Sequence, residues 1–192
     1  MASNSLLRRA LFKITLDHIE AAYRLASKAH VDIPNEIEKT GRRTIGIGPD
    51  DPWPDRNDED PYDHVGRAYD DMEAASTEAW YGSAIVRKAF LISLFHAWER
   101  FINAERGVED YVHPEEWLIS RGHQECARPI LELQKAANCA KHGPGNSCKA
   151  LFRMRPDLFP GVTDANKASD ARLEIGDELL THFFEVVRKA AS

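Results

Sequence analysis

The sequence lacks the short motifs that mark most common enzyme classes. It contains no glycine-rich phosphate loop, no G-x-S-x-G turn, no H-E-x-x-H helix and no C-x-x-C pair. These absences argue against the usual nucleotide-binding proteins, α/β-hydrolases, zinc proteases and dithiol oxidoreductases. A run of about 20 apolar residues and a secretory apolar segment are also missing, which predicts a protein that does not enter a membrane.

Cysteine is scarce and odd in number, with only Cys126, Cys139 and Cys148. An odd count without a secretory segment predicts reduced thiols in a soluble, cytoplasmic protein. With His142 the three thiols would make a Cys3His set that suits zinc. However, no pair has the close spacing of zinc motifs, and a free cysteine is commonly a small core residue. We therefore predict no metal and no cofactor.

Acidic residues are concentrated in one stretch. The chain has a net charge of −6, and residues 50–63 hold seven acidic residues and one arginine. The wider segment 31–63 is rich in glycine and proline, which predicts an acidic surface loop rather than a helix. An alternative is an arm that shields a basic site or contacts a partner, with Trp53 as its anchor. The remaining chain is near neutral, so the net negative charge of the whole chain does not exclude binding of a polyanion to that part.

Apolar residues elsewhere recur at helical spacing, and no segment alternates as a strand would. Long helices are predicted over residues 5–30, 64–106, 129–142 and 169–190. One short helix is predicted to begin at Pro114, before the 129–142 helix, and another over residues 148–155, after it. We predict an all-α fold: a single domain over 1–192, built as a bundle of four to five long helices with 31–63 as a long acidic loop insertion. The apolar stripe of the first helix comprises Leu7, Leu11, Ile14, His18, Ala21 and Leu25.

The segment 129–159 carries the most distinctive polar pattern. Its helix contains no proline or glycine from Ile130 to His142, and the Gly-Pro-Gly at 143–145 then ends it. At about 100° per residue, Lys135, Asn138 and His142 fall on one side, opposite the apolar stripe. His142 is therefore predicted in the last helical turn.

These residue types suit acid–base and phosphate chemistry. An imidazole such as that of His142 titrates near physiological pH. Lys135 and Lys141 would stabilise a developing negative charge, and Asn138 would orient a phosphate or the imidazole. The alternative is a solvated helix face whose histidine interacts with the helix dipole.

A second group of polar residues interrupts the apolar helix over 64–106. His96, Glu99 and Arg100 lie in a segment otherwise rich in aliphatic and aromatic residues. Charged groups near a buried surface need partners. The sequence leaves two interpretations open: a structural Glu99–Arg100 pair, or Glu99 reaching the corner of His142.

The octapeptide KAANCAKH, from Lys135 to His142, resembles the motif of the HEPN superfamily, in which an arginine precedes a histidine near the end of one helix. The phrase ANCAKHG followed by RPDLF is similar to HEPN-like proteins with an N-x-x-K-H-G turn. This resemblance implies a small all-α bundle of the toxin or phage-defence type. The implied activity is a metal-independent endoribonuclease, acting as a homodimer and accompanied by an antitoxin or another defence-system protein.

The resemblance also assigns roles to individual residues. His142 would be the acid or base, Lys135 and Lys141 would stabilise charge, Asn138 would position the phosphate, and Glu99 would support the site. Lys135 stands where the family usually has arginine, and lysine offers phosphate a point charge rather than a planar fork. The alternative is a non-catalytic helical interaction, scaffold or regulatory module of a defence or toxin–antitoxin system.

Overall fold

The computed structural model describes residues 2–57, 63–107 and 114–192. These residues form helices and no β-strand, so the all-α prediction is confirmed for the part described. No described helix is both long and apolar enough to span a membrane. The α-helices are α1 (Ala2–Val31), α2 (Ile33–Ile45), α3 (His64–Arg106), α4 (Pro114–Ser120), α5 (Gln124–His142), α6 (Asn146–Met154) and α7 (Asp177–Ala190). Single 3-10 turns lie at Pro156–Leu158, Ala165–Lys167 and Asp170–Arg172.

The chain divides into two compact units. The larger unit comprises Met1–Tyr23 with Arg87–Ser192, and the smaller unit comprises Arg24–Val86. The smaller unit contains fourteen acidic and seven basic residues, a net charge of −7, which leaves +1 for the rest of the chain. The acidity therefore belongs to one unit.

The core of the larger unit is aromatic and aliphatic. Trp98 is its largest fully buried side chain, and its ring lies 5.8 Å from Phe101 and 6.1 Å from Trp117. Helix α5 contributes one face to this core, as the heptad-like spacing of its apolar residues requires. Its fully or almost fully buried apolar residues are Cys126, Ile130, Leu133, Ala136, Ala137 and Cys139.

In the smaller unit, the predicted loop over 31–63 is wrong for residues 33–45, which form α2. Gly41, one of the glycines on which the loop prediction for 31–63 rests, is buried in the middle of this helix. A Cβ atom there would lie 2.2 Å from Met72 Sδ and 3.0 Å from the Trp53 ring. Glycine is therefore present because neighbouring side chains approach the helix closely, and helix packing outweighs its poor propensity.

The acidic segment that follows α2 is fastened to its own unit. The Trp53 ring lies 5.3 Å from the Tyr69 ring, and the Arg42 guanidinium lies 5.0 Å above the Trp53 indole. Arg42 also donates to the carbonyls of Gly48 and Asp51. Trp53 thus anchors this segment internally. Part of the predicted acidic stretch, residues 58–62, lies outside the described residues.

Two further helix boundaries differ from the prediction. Helix α5 begins at Gln124, and Pro129 lies inside its second turn, where the ring removes one backbone donor without ending the helix. Helix α7 begins at Asp177 rather than near 169. Before it, Leu173 and Ile175 are buried on either side of exposed Glu174, the alternation of an extended segment.

Candidate functional site

The polar corner at the end of α5 is built by backbone conformation. Helix α5 ends at His142, which confirms that this residue occupies the last turn. Gly143 follows with φ 73°, a left-handed value that favours glycine, and its N–H donates to the carbonyl of Cys139 at 3.1 Å. The chain then turns through Pro144 and Gly145 into α6, as the sequence predicts.

The predicted polar stripe lies at the surface of α5. Lys135 and Asn138 are half-buried, whereas Lys141 and His142 are exposed. Among the described residues, none of these four side chains has a hydrogen-bond or ion-pair partner. Their hydrogen-bonding groups are therefore available to a ligand. The partial negative charge at a helix C-terminus stabilises cations in this last turn.

Long-range packing adds a carboxylate to this corner. Asp170 Oδ1 lies 3.4 Å from where a Cβ atom on Gly143 would be. Lys88 Nζ, from α3, donates to the Asp170 carbonyl at 2.6 Å. Burial lowers the pKa of Lys88, while the nearby charges of Asp170 and Glu174 act in the opposite direction. Sequence reasoning missed this pair because no local pattern connects residues 82 positions apart.

Glu99 does not join the stripe through any contact in the described structure. Its carboxylate lies 3.2 Å from His96 Nδ1, one helical turn away on α3. Arg100 instead donates to the backbone carbonyl of His96. The proposed Glu99–Arg100 pair is therefore replaced by a Glu99–His96 pair.

A second polar cluster lies on α5 about one turn before the stripe, since Glu132 precedes Lys135 by three residues. Glu132 is buried, and its carboxylate accepts hydrogen bonds from Arg155 at 3.0 Å and from Arg128 at 3.1 Å. Arg155 also donates to Asp157 at 2.8 Å and 3.0 Å. This hydrogen bonding raises the pKa of Arg155 and lowers that of Asp157. The arginine of the RPDLF phrase thus holds the chain after α6 to α5, and its role is structural.

The cysteines are paired differently from the prediction. Cys139 and Cys148 form a disulfide that joins the last turn of α5 to α6, and both residues are fully buried. Cys126 remains a buried free thiol. The alternative Cys3His zinc site is thereby contradicted, since two of its ligands are bonded to each other. Across the described residues, no group of three His, Cys, Asp or Glu side chains converges as metal ligands.

The disulfide is expected to contribute about 2–3 kcal/mol to the free energy of unfolding, because it closes a short loop in the unfolded chain. Replacing both residues, as Cys139→Ala with Cys148→Ala, is expected to remove that amount in urea unfolding under oxidising conditions. A reducing agent should lower the stability of the wild type by a similar amount.

The matched control is Cys126→Ala, which removes a buried thiol without touching the disulfide. Its urea midpoint is expected to remain sensitive to reductant, as in the wild type. The urea midpoint of the double-alanine variant should not change when reductant is added. A wild type whose midpoint is the same with and without reductant would contradict the expected contribution.

No protein-family model, curated protein sequence or solved structure matches the chain. Lys135, Asn138 and His142 lie on one side of α5 and Lys141 flanks them, so two lysines, an amide and an imidazole occupy two turns of one helix. Such a set suits an anionic ligand with a transferable proton.

Proposed function

We propose that this protein is a HEPN-like, RNA-acting protein and a metal-independent endoribonuclease of the toxin or phage-defence type. The observation that carries this proposal is the α5 stripe. Lys135, Asn138, Lys141 and His142 share one helical corner, and none has a partner among the described residues. These side chains are not engaged by the protein and are therefore available to a phosphate.

The proposed reaction is transesterification within RNA. The ribose 2′-OH loses its proton and attacks the adjacent phosphorus, while the bond from phosphorus to the 5′ oxygen of the next nucleotide breaks. The products are a 2′,3′-cyclic phosphate and a 5′-OH end, so the proton removed is balanced by the proton delivered to the leaving oxygen. His142 acts as the acid or base in this exchange.

The other stripe residues bind the phosphate and stabilise its developing negative charge. Lys135 and Lys141 place positive charge beside the phosphate as its negative charge develops, and Asn138 donates to a phosphate oxygen. The proposal does not use Glu99, which has His96 as its partner. A homodimer would present two such stripes to one RNA, and an antitoxin or defence-system protein is the accompanying partner expected.

The charge of the smaller unit favours a second candidate function. Its net charge of −7 repels a polyanion, and its apolar and acidic surfaces suit a protein partner. The alternative is therefore a non-catalytic interaction or regulatory module of a defence or toxin–antitoxin system. A stable hetero-complex in gel filtration, formed by a protein without nuclease activity, would favour this alternative.

The test is an RNA cleavage assay with the wild-type protein in EDTA. Cleavage of an RNA oligonucleotide, with 2′,3′-cyclic phosphate ends identified by mass spectrometry, is expected. A DNA oligonucleotide of the same sequence serves as control, since it lacks the attacking 2′-OH and should remain intact. Intact RNA after incubation with folded protein, or cleavage that occurs only with added metal, would overturn the proposal.

A further inference from the structure

The proposed reaction moves two protons, and the α5 stripe accounts for only one of these transfers. One proton leaves the ribose 2′-OH as its oxygen attacks, and another reaches the 5′ oxygen as that oxygen departs. His142 exchanges a proton near neutral pH, whereas Lys135, Lys141 and Asn138 supply charge and hydrogen bonds. A second acid–base group at the same corner would allow both transfers to occur in a single displacement.

Asp170 brings a carboxylate to the end of α5. The 3-10 turn that it begins, Asp170–Arg172, packs against α5. Asp170 Oδ1 lies 3.4 Å from where a Cβ atom on Gly143 would be, and Gly143 directly follows His142. With standard backbone dimensions, this oxygen is within about 5 Å of the Gly143 Cα and within about 9 Å of the His142 Cα.

Asp170 is held by its backbone, and its carboxylate is left unengaged. Lys88 Nζ, from α3, donates to the Asp170 backbone carbonyl at 2.6 Å, and both residues are half-buried. Among the described residues, no side chain or backbone group forms a hydrogen bond or a close ion pair with the Asp170 carboxylate. An ionised carboxylate has lone pairs to accept a proton and no proton to donate. Asp170 is therefore suited to the role of base.

The position of Asp170 relative to His142 suits a pair that acts on opposite sides of a phosphate. The attacking and leaving oxygens lie roughly in line through phosphorus. A base and an acid that each lie within hydrogen-bond reach of one of these oxygens are on the order of 6–9 Å apart. The structure shows no hydrogen bond between Asp170 and His142, as this arrangement requires. Because His142 is exposed and has no partner among the described residues, its ring is able to turn towards a bound phosphate.

We propose that Asp170 is the general base of the cleavage reaction and His142 its general acid, an assignment that rests on the proposed function. The Asp170 carboxylate takes the proton of the 2′-OH, whose oxygen forms the new bond to phosphorus. As the bond from phosphorus to the 5′ oxygen breaks, the His142 imidazolium delivers its proton to that oxygen. Asp170 then releases a proton to water and His142 takes one from water, so both groups return to their starting states.

The test compares natural RNA with an RNA in which sulfur replaces the bridging 5′ oxygen at the linkage that the wild type cleaves. A thiol is a much stronger acid than an alcohol, so the sulfur departs as a thiolate without a general acid. Asp170→Asn keeps the size of the side chain and the backbone carbonyl that Lys88 binds, but its amide does not act as a base. His142→Ala removes the acid. Initial rates are measured in EDTA, and circular dichroism checks that each variant is folded.

The two variants are expected to respond differently to the sulfur substrate. On natural RNA, each should lower the rate by about 10²–10⁴-fold. On the sulfur substrate, His142→Ala should cleave at nearly the wild-type rate, whereas Asp170→Asn should stay as slow as on natural RNA. The matched control is Glu174→Gln, because Glu174 is an exposed carboxylate whose charge also acts on Lys88. This variant should cleave both substrates at the wild-type rate.

Each other result would overturn the assignment. Intact RNA after incubation with the wild type removes the proposed function itself. If the wild type cleaves RNA and Asp170→Asn is equally fast, the proposed function stands and Asp170 is not the base. Recovery of Asp170→Asn on the sulfur substrate means that Asp170 acts through the acid, and no recovery of His142→Ala means that His142 is not the acid. Equal loss in Glu174→Gln means that the charge around Lys88 is the cause.

A second variant covers the case in which Asp170→Asn is not folded. Asp170→Ser is smaller than the native side chain, so it fits beside Gly143 without a new contact, and it also lacks the carboxylate. It takes the place of Asp170→Asn in every comparison, with the same expected rates.

Discussion

Replacing His142 with alanine is expected to lower the rate of RNA cleavage by about 10²–10⁴-fold, the usual contribution of a general acid or base. The imidazole of His142 has two ring nitrogens, of which one can accept a proton while the other donates one, whereas the two lysines and the amide of the α5 stripe supply charge and hydrogen bonds. The measurement is the initial rate of cleavage in EDTA, with wild type and variant purified in parallel. Parallel purification also reveals a contaminating ribonuclease, whose activity would survive the substitution.

The fold should tolerate this change. His142 is exposed and has no partner among the described residues, and surface substitutions of this kind usually alter stability by less than about 0.5 kcal/mol. The matched control is His182→Ala, which removes an exposed histidine on α7, a different helix from the one that carries the stripe. We expect full activity from that variant. If His142→Ala cleaves RNA at the wild-type rate, His142 is not the acid or base.

Trp98→Ala is expected to lower the free energy of unfolding by about 3–5 kcal/mol, because it leaves a large cavity at the centre of the larger unit. Trp98 is 1% exposed and lies among Phe12, Phe101 and Trp117. Loss of this ring removes its own contacts and weakens the packing of all three neighbours. Equilibrium unfolding in urea, followed by circular dichroism, measures the change.

Two variants test this explanation of the effect. Trp98→Phe keeps most of the apolar volume and removes an indole N–H that has no hydrogen-bond partner among the described residues, so it should cost well under 3 kcal/mol. Trp80→Ala removes an indole that is 53% exposed and should have a small effect. Equal destabilisation by Trp80→Ala and Trp98→Ala would show that burial is not the cause.

The parts of the candidate site that follow from local rules were predictable. A helix without proline or glycine, followed by Gly-Pro-Gly, fixes its own C-terminus, and this places His142 in the last turn. Periodicity then assigns Lys135 and Asn138 to the same side. These inferences need only the sequence within a few residues of each position.

The predictions that the structure contradicts failed for a different reason, since they depend on tertiary packing. Gly41 is one of the glycines on which the loop prediction for 31–63 rests, but it is retained in α2 because Met72 and Trp53 approach it closely. In the same way, the pairing of Cys139 with Cys148 depends on how the α5–α6 turn brings two buried sulfurs together. Helix α1 shows the limit of periodicity itself, since the stripe that its spacing indicates, from Leu7 to Leu25, is exposed, and Phe12, Leu16 and Tyr23 are buried instead.

The Cys139–Cys148 bond has a consequence for the conformational entropy of the stripe. The last turn of a helix ordinarily frays, because its carbonyls lack partners and little packing holds it. Here the fraying turn is tied by a covalent bond to the helix that follows it. The backbone that carries Lys141 and His142 is therefore restricted in its motion before any ligand binds. A ligand that binds them loses less entropy in ordering this backbone, which is the advantage of a preorganised site.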